Sequence, residues 1–226
     1  HIDAYVPTLS EAKIMGFTES VTLVAAGDAD TKYSGDNQPV ETIQDGGTYT
    51  LISIPGAYIQ TYDANNAAAN STTGIELVTD PNNDNDWTAA EFPGKAQGEL
   101  DAHWGAEEVY DYWNTVHGRN SYDGAGATIF SLVHVSTNYD NAFWNGSWMS
   151  YGDGSSNGNE GNGVFDILTS LDVCAHEIGH AIISNTAGLA YQRESGGLNE
   201  GFADIWAATV EHRTKGTGTD TNPNDE

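Results

Sequence analysis

The stretch DVCAHEIGHAIIS, residues 172–184, decides how the chain is built. Ser170 is placed to cap a helix running from about Leu171 to Ser184, and Thr-Ala-Gly at 186–188 supplies its stop. On such a helix residues four apart lie about 40° apart around the axis and ~6 Å along it, so the imidazoles of His176 and His180 reach one ion. Glu177 is rotated about 60° from His180, too far round to be a natural ligand. It still borders the open coordination position, where it can take a proton from metal-bound water.

With 7 histidines in 226 residues, chance produces this His-Glu-x-x-His spacing in roughly one such chain in seventy. The segment GGLNEGFAD, residues 196–204, strengthens the reading. Glu200 lies 20 residues beyond His180, on the next helix, and can supply a third ligand. Two imidazoles and one carboxylate with a fourth position left to water make an open, hydrolytic zinc site rather than a closed structural one. Asn199 and Asp204 sit beside Glu200 and one turn beyond it. They could orient the ligand imidazoles through their remaining N–H groups, or could simply form a solvated helix face.

Outward from this pair the pattern is that of an α+β chain. The first 60 residues alternate apolar and polar in short runs such as GTYTLISIPG and AYIQTYDA, divided by Gly, Asn and Asp, and read as β-hairpins. A polar loop follows, in which Asp84 and Asp86 either make turns or hold a hard cation, turns being the simpler reading. GELDAHWGAEEVYDYWNTVHG places Ala102, Ala106, Val109, Tyr110, Trp113 and Val116 at helical spacing, with Gly118 as the stop. ATIFSLVHVST is a strand, and Trp144, Trp148 and Tyr151 belong to the core or a cleft wall. After the histidine helix, a further helix is expected from about Leu198 to Arg213, with Phe202, Ile205, Trp206 and Thr209 on one side. This divides the chain into a β-rich lobe with one long helix, residues 1–170, and a segment 171–226 with the two metal-bearing helices.

The formal charge is −26, from 33 acidic and 7 basic side chains. Such a chain repels nucleic acid and anionic lipid, so neither is an expected partner. Its acidic surface suits an extracellular or saline setting and offers carboxylates to calcium, or serves only to keep the protein soluble. No apolar run approaches a membrane span, and a secretory signal, if there was one, has already been removed. A single cysteine, Cys174, excludes an intrachain disulfide and reads as a small buried apolar group.

From about Gly47 to Glu211 the chain resembles the thermolysin family of zinc metallopeptidases. The likeness runs through TYDANN, DAHWGAEEVYDYW, SYDG, DNAFWNGSWMSYGDG, DVCAHEIGH and TAGLAYQRESGGLNEGFADI, several of them more specific than the histidine motif. It implies a zincin-like fold: a β-rich N-terminal lobe joined by a central zinc-binding helix to the beginning of an α-helical lobe. It also implies a secreted endopeptidase that attacks peptide bonds with zinc-bound water assisted by Glu177, and that prefers a hydrophobic residue after the cut.

Carried over residue by residue, His176, His180 and Glu200 become the zinc ligands, Glu177 the base and Tyr191 a holder of the oxyanion. Asn141 and Ala142 match the edge segment that pairs with substrate backbone, a form of strand addition. Val173 falls in the apolar pocket for the side chain after the cut, and Asp172 and Glu211 match calcium ligands. The family's helical lobe continues beyond the point that Glu226 matches, with a histidine donor and an arginine clamp that have no counterpart; His212 lies beside the calcium position instead. The expectation that follows is a second chain carrying the rest of that lobe, joined over apolar surface around Phe202, Ile205 and Trp206. Two other classes remain open: a metal-bound peptide-binding or scaffold module without catalysis, and a calcium-binding surface protein that keeps the histidines for stability.

Overall fold

The computed structural model describes residues 23–54, 58–157 and 162–216. The hairpins expected before residue 23, and the part of the loop beyond Glu211 that follows residue 216, lie outside the described residues.

The N-terminal runs pair as their alternation requires. Strands β1 (Leu23–Thr31) and β2 (Gly35–Asp45) form a long antiparallel hairpin, and β3 (Thr48–Thr50) returns along β2. The β2–β3 turn is Gly46-Gly47, both with positive φ, the backbone a tight hairpin demands and glycine supplies. Beyond β4 (Ile52–Ser53), β5 (Ile59–Asp63) and β6 (Glu76–Leu77), strand β7 (Asp86–Trp87) lies parallel to β1 and completes the sheet β3-β2-β1-β7.

The acidic loop before β7 is built of turns. Asp80 accepts the Asn82 and Asn85 N–H groups at 2.9 and 2.6 Å, and Asp84 accepts that of Asp86 at 3.2 Å. Asp80, Asp84 and Glu91 nevertheless bring their carboxylates within 4.8 Å of one another.

A 3-10 turn at Gly94–Ala96 leads into helix α1, Gln97–His117. Its Ala102, Ala106, Val109 and Tyr110 are buried, while Val116, in the last turn, is 46% exposed. Gly118 ends the helix at φ 63°, donating to the Asn114 carbonyl. The second sheet runs β4-β5-β8-β10-β9, with β6 on β5. Here β8 (Ile129–Val135) lies parallel to both β5 and β10 (Met149–Gly152), and β9 (Ala142–Trp144) is antiparallel to β10 at the end of the path. Tyr151 is fully buried, and Trp144 and Trp148 are half-buried.

Two helices close the described chain, α2 (Leu171–Ser184) and α3 (Arg193–Lys215). Ser170 occupies the N-cap position of α2, but its hydroxyl donates to Asp172 instead of capping a backbone N–H. Gly188, at φ 56°, sends its N–H to the Ile183 carbonyl and closes the C-terminal turn. Helix α3 begins at Arg193 rather than Leu198, because Arg-Glu-Ser-Gly-Gly joins its first turns. Its inward stripe is Asn199, Ala203, Ala207 and Val210, and not the larger apolar set. Phe202 and Ile205 are 42% and 59% exposed, and Trp206 is half-buried edge-on against Trp113.

Small residues let the helices approach. A Cβ at Gly105 of α1 would meet Cys174 of α2 at 3.1 Å, and one at Gly179 of α2 would meet the Ala203 Cα of α3 at 3.2 Å. Cys174 is accordingly fully buried, and burial pushes its thiol well above the ordinary value, as befits an inert packing group. No described helix is long and apolar enough to cross a membrane.

Candidate active site

Helix α2 presents His176 and His180 as its period requires, their Nε2 atoms 2.9 Å apart. Helix α3, brought close over Gly179, adds Glu200, whose two oxygens stand 3.2 Å from His176 Nε2 and 3.6 Å from His180 Nε2. The outer ring nitrogens fix what faces inward. His176 Nδ1 lies 2.8 Å from Asp204 Oδ1, and His180 Nδ1 lies 2.6 Å from Asn199 Oδ1. The Asn199 amide donates from Nδ2 to the Leu189 carbonyl at 3.0 Å, so its oxygen must accept from His180. In its neutral form each imidazole therefore holds its proton on Nδ1 and turns a lone pair inward.

Two imidazole lone pairs and a carboxylate converging on one point are acceptors with no donor among themselves. A cation resolves that arrangement, and nitrogen and oxygen donors of this kind suit zinc. Burial holds the His180 imidazole below its ordinary value, which favours the neutral ligand form.

Glu177 lies beside this centre, 6% exposed, and burial pushes its carboxyl up to about 7. Its Oε2 accepts the backbone N–H of Trp144, on β9, at 2.9 Å. That clamp has no side-chain signature and is invisible in the sequence. It makes the end strand of the second sheet one wall of the cleft. Tyr191, 72% exposed, donates its hydroxyl to Glu200, at the edge of the same centre.

The cleft extends both ways from His176 and Glu177. On one side it is lined by Phe143, Trp144, Leu189 and Tyr191, on the other by Phe165, Leu168 and Val173, and Asn141 and Ala142 border both. Phe165 and Leu168 carry no sequence signal for this wall, since apolar residues before a helix read equally as core. Asp172, Asp204 and Glu211 line the second side, so the structure brings the two expected calcium residues to a common hollow. Each also has a local partner, Ser170 for Asp172 and Lys215 for Glu211.

Comparison with known proteins accords with this geometry. Residues 27–184 match the model of the thermolysin metallopeptidase catalytic domain, and residues 187–224 that of the thermolysin metallopeptidase alpha-helical domain. A bacillolysin of Brevibacillus brevis is 48% identical over 179 residues, covering 79% of this chain and 31% of that protein. The thermostable neutral protease NprT of Geobacillus stearothermophilus is 44% identical over 163 residues, covering 72% and 27%. The chain thus spans less than a third of these relatives. Among solved structures, the precursor of protealysin from Serratia proteamaculans shares the fold, with a TM-score of 0.57 at 23% identity, over 92% of this chain and 52% of that one. With the catalytic-domain match covering most of the chain and the metal ligands, buried glutamate and cleft arranged as described, the chain belongs to the thermolysin family of metallopeptidases.

Proposed function

We propose that the chain carries the catalytic centre of a secreted zinc endopeptidase acting on peptides and proteins. The observation that supports this most is a buried carboxylate, Glu177, fixed by the Trp144 N–H beside the convergent His176, His180 and Glu200 donors. Zinc held by those three residues would supply a Lewis acid that polarises a peptide carbonyl and makes a water more acidic. Glu177, held through Oε2, has Oε1 with which to accept a proton from the attacking water and return it to the leaving nitrogen. Tyr191, whose hydroxyl meets Glu200 at the edge of the centre, would donate to the carbonyl oxygen as negative charge develops there.

An extended substrate would add to the sheet edge at Asn141 and Ala142, which reads main chain rather than side chains. Val173, with Phe165 and Leu168, would receive an apolar side chain just after the cut bond. Calcium at Asp172 and Glu211 belongs to the same reading. So does an extracellular setting, supported by the acid-rich composition and tested by whether the protein accumulates outside the cells that make it. The comparisons add no support for a second chain carrying further helices.

The deciding experiment is Glu177→Gln in the full-length protein. Zinc content should be unchanged while kcat on a peptide substrate falls by about 10²- to 10⁴-fold. Hydrolysis within a factor of two of the parent would overturn the role of Glu177. A zinc-loaded parent that binds peptides without cutting them would establish the scaffold alternative.

A further inference from the structure

A second set of metal-type donors shares no residue with the cleft. Asp63 ends β5, Glu99 lies in the first turn of α1 and His134 lies in β8, and one ligand atom from each falls within 4.8 Å of the others. The imidazole is oriented as those of the first site are. His134 Nδ1 lies 2.6 Å from Asp153 Oδ1, leaving Nε2 to face Glu99 Oε1 at 3.5 Å. A histidine backed by a carboxylate on one nitrogen and turned towards further carboxylates on the other is the arrangement of a metal-ligating imidazole.

Glu99 is 7% exposed, and among the described residues the one basic side chain within ion-pair distance of it is His134, at Nε2. A carboxylate so buried needs a cation or a proton. The surroundings are over-supplied with negative charge, since Asp63, Glu99 and Asp153 face one imidazole. The cation nearest in sequence, Lys95, is engaged with the Asp153 and Gly154 carbonyls. One imidazolium balances one of the three carboxylates, whereas a divalent ion balances two and leaves the imidazole neutral to bind it.

We propose that Asp63, Glu99 and His134 form a second divalent-metal site, with Asp153 orienting the imidazole, that takes zinc or a transition ion of similar preference. One nitrogen and two carboxylate donors, partly buried, suit such an ion better than calcium, which takes oxygen ligands alone. Bound there, it would pin the start of α1 to the ends of β5 and β8. The competing state is an imidazolium bridging Asp153 and Glu99. Burial alone lowers the affinity of His134 for its proton, but those carboxylates outweigh it and push the pKa up to about 10.

The test is to strip the full-length protein of metal, load it with Zn²⁺, desalt it and count bound zinc by native mass spectrometry. Two ions per chain are expected in the parent, one in Glu99→Gln and one in His176→Ala, which separates this site from the first. Asp63→Asn, at a half-exposed position, gives the same count of one should Glu99→Gln fail to fold. ¹⁵N NMR of the parent should show His134 Nε2 losing its proton signature as the second equivalent binds. A count of one in the parent at tens-of-micromolar zinc, or a His134 ring that stays doubly protonated throughout, would overturn the proposal in favour of the imidazolium bridge.

Discussion

Asn199 performs two tasks with one amide, since its NH₂ holds the Leu189 carbonyl and its oxygen thereby accepts from His180. Replacing it with alanine leaves a buried N–H without an acceptor and frees the ring to turn. Zinc affinity should fall by about 10- to 100-fold, measured by competition with a chelator, with the fold retained. Asp204 plays the same part for His176, but its side chain is 72% exposed against 5% overall exposure for Asn199, so water can replace it. The loss in Asp204→Ala should therefore be the smaller of the two. Asp101 illustrates a buried carboxylate of another kind. Burial pushes it up to about 7 from its ordinary 3.8, even though it accepts the Lys32 and Tyr33 N–H groups. A carboxyl whose folded pKa lies above its unfolded one stabilises the fold fully below about 4, and that contribution is lost as the pH rises through 7. Asp101→Asn should therefore flatten the fall in Tm between pH 5 and 8, as followed by thermal unfolding.

At the scale of elements, the contact between α2 and α3 decides the metal site. Glycine inside a helix costs about 1 kcal/mol relative to alanine, so Gly179 needs a structural reason. Its reason is the Ala203 Cα, which a Cβ at Gly179 would meet at 3.2 Å. The neighbour could yield to a methyl group by a few tenths of an ångström, but not to a branched side chain. Gly179→Val should cost about 1–3 kcal/mol of stability through overpacking. It should also weaken zinc binding more than Gly179→Ala does, because Asn199 and Glu200 ride on the displaced helix. Equal zinc affinity in the two variants would show that α3 is not positioned through this contact. The start of α3 is not legible in the sequence, because Arg193 to Gly197 contains two glycines and no apolar periodicity. Packing against α2 overrides that weak propensity.

For the whole molecule, the balance of −26 charges sets the terms. The hollow beside Glu177 is lined by Asp172, Asp204 and Glu211, and calcium there would be held by Asp172 and Glu211. An ion bound only to the folded state at about 100 times its Kd adds about 2.7 kcal/mol. For a domain of this size that is about 5–10 °C in Tm. A calcium-selective chelator that leaves zinc in place should lower Tm by an amount of that order in the full-length protein, and Asp172→Asn should abolish most of the difference. An unchanged Tm would remove calcium from this hollow.

What the sequence determined by itself is what a single helix determines. The four-residue spacing of His176 and His180, the placement of Glu177 between them and the ending of a long helix at Gly118 are local consequences of helical geometry and of the left-handed backbone that glycine allows. Glu200, Asn199 and Asp204 are legible as candidates because they lie on the next element in sequence. Only the tertiary structure decided that the Trp144 N–H clamps Glu177, since every residue but proline owns such a donor and its use depends on where the end strand of the sheet comes to rest. It also decided that Phe202 and Ile205 face outward while small residues face in, because close helix approach selects for size as well as apolarity. Asp63, Glu99 and His134 are scattered along the chain without any motif spacing, and it is the parallel pairing of β5 with β8, and the start of α1 beside them, that sets their ligand atoms within reach of one ion.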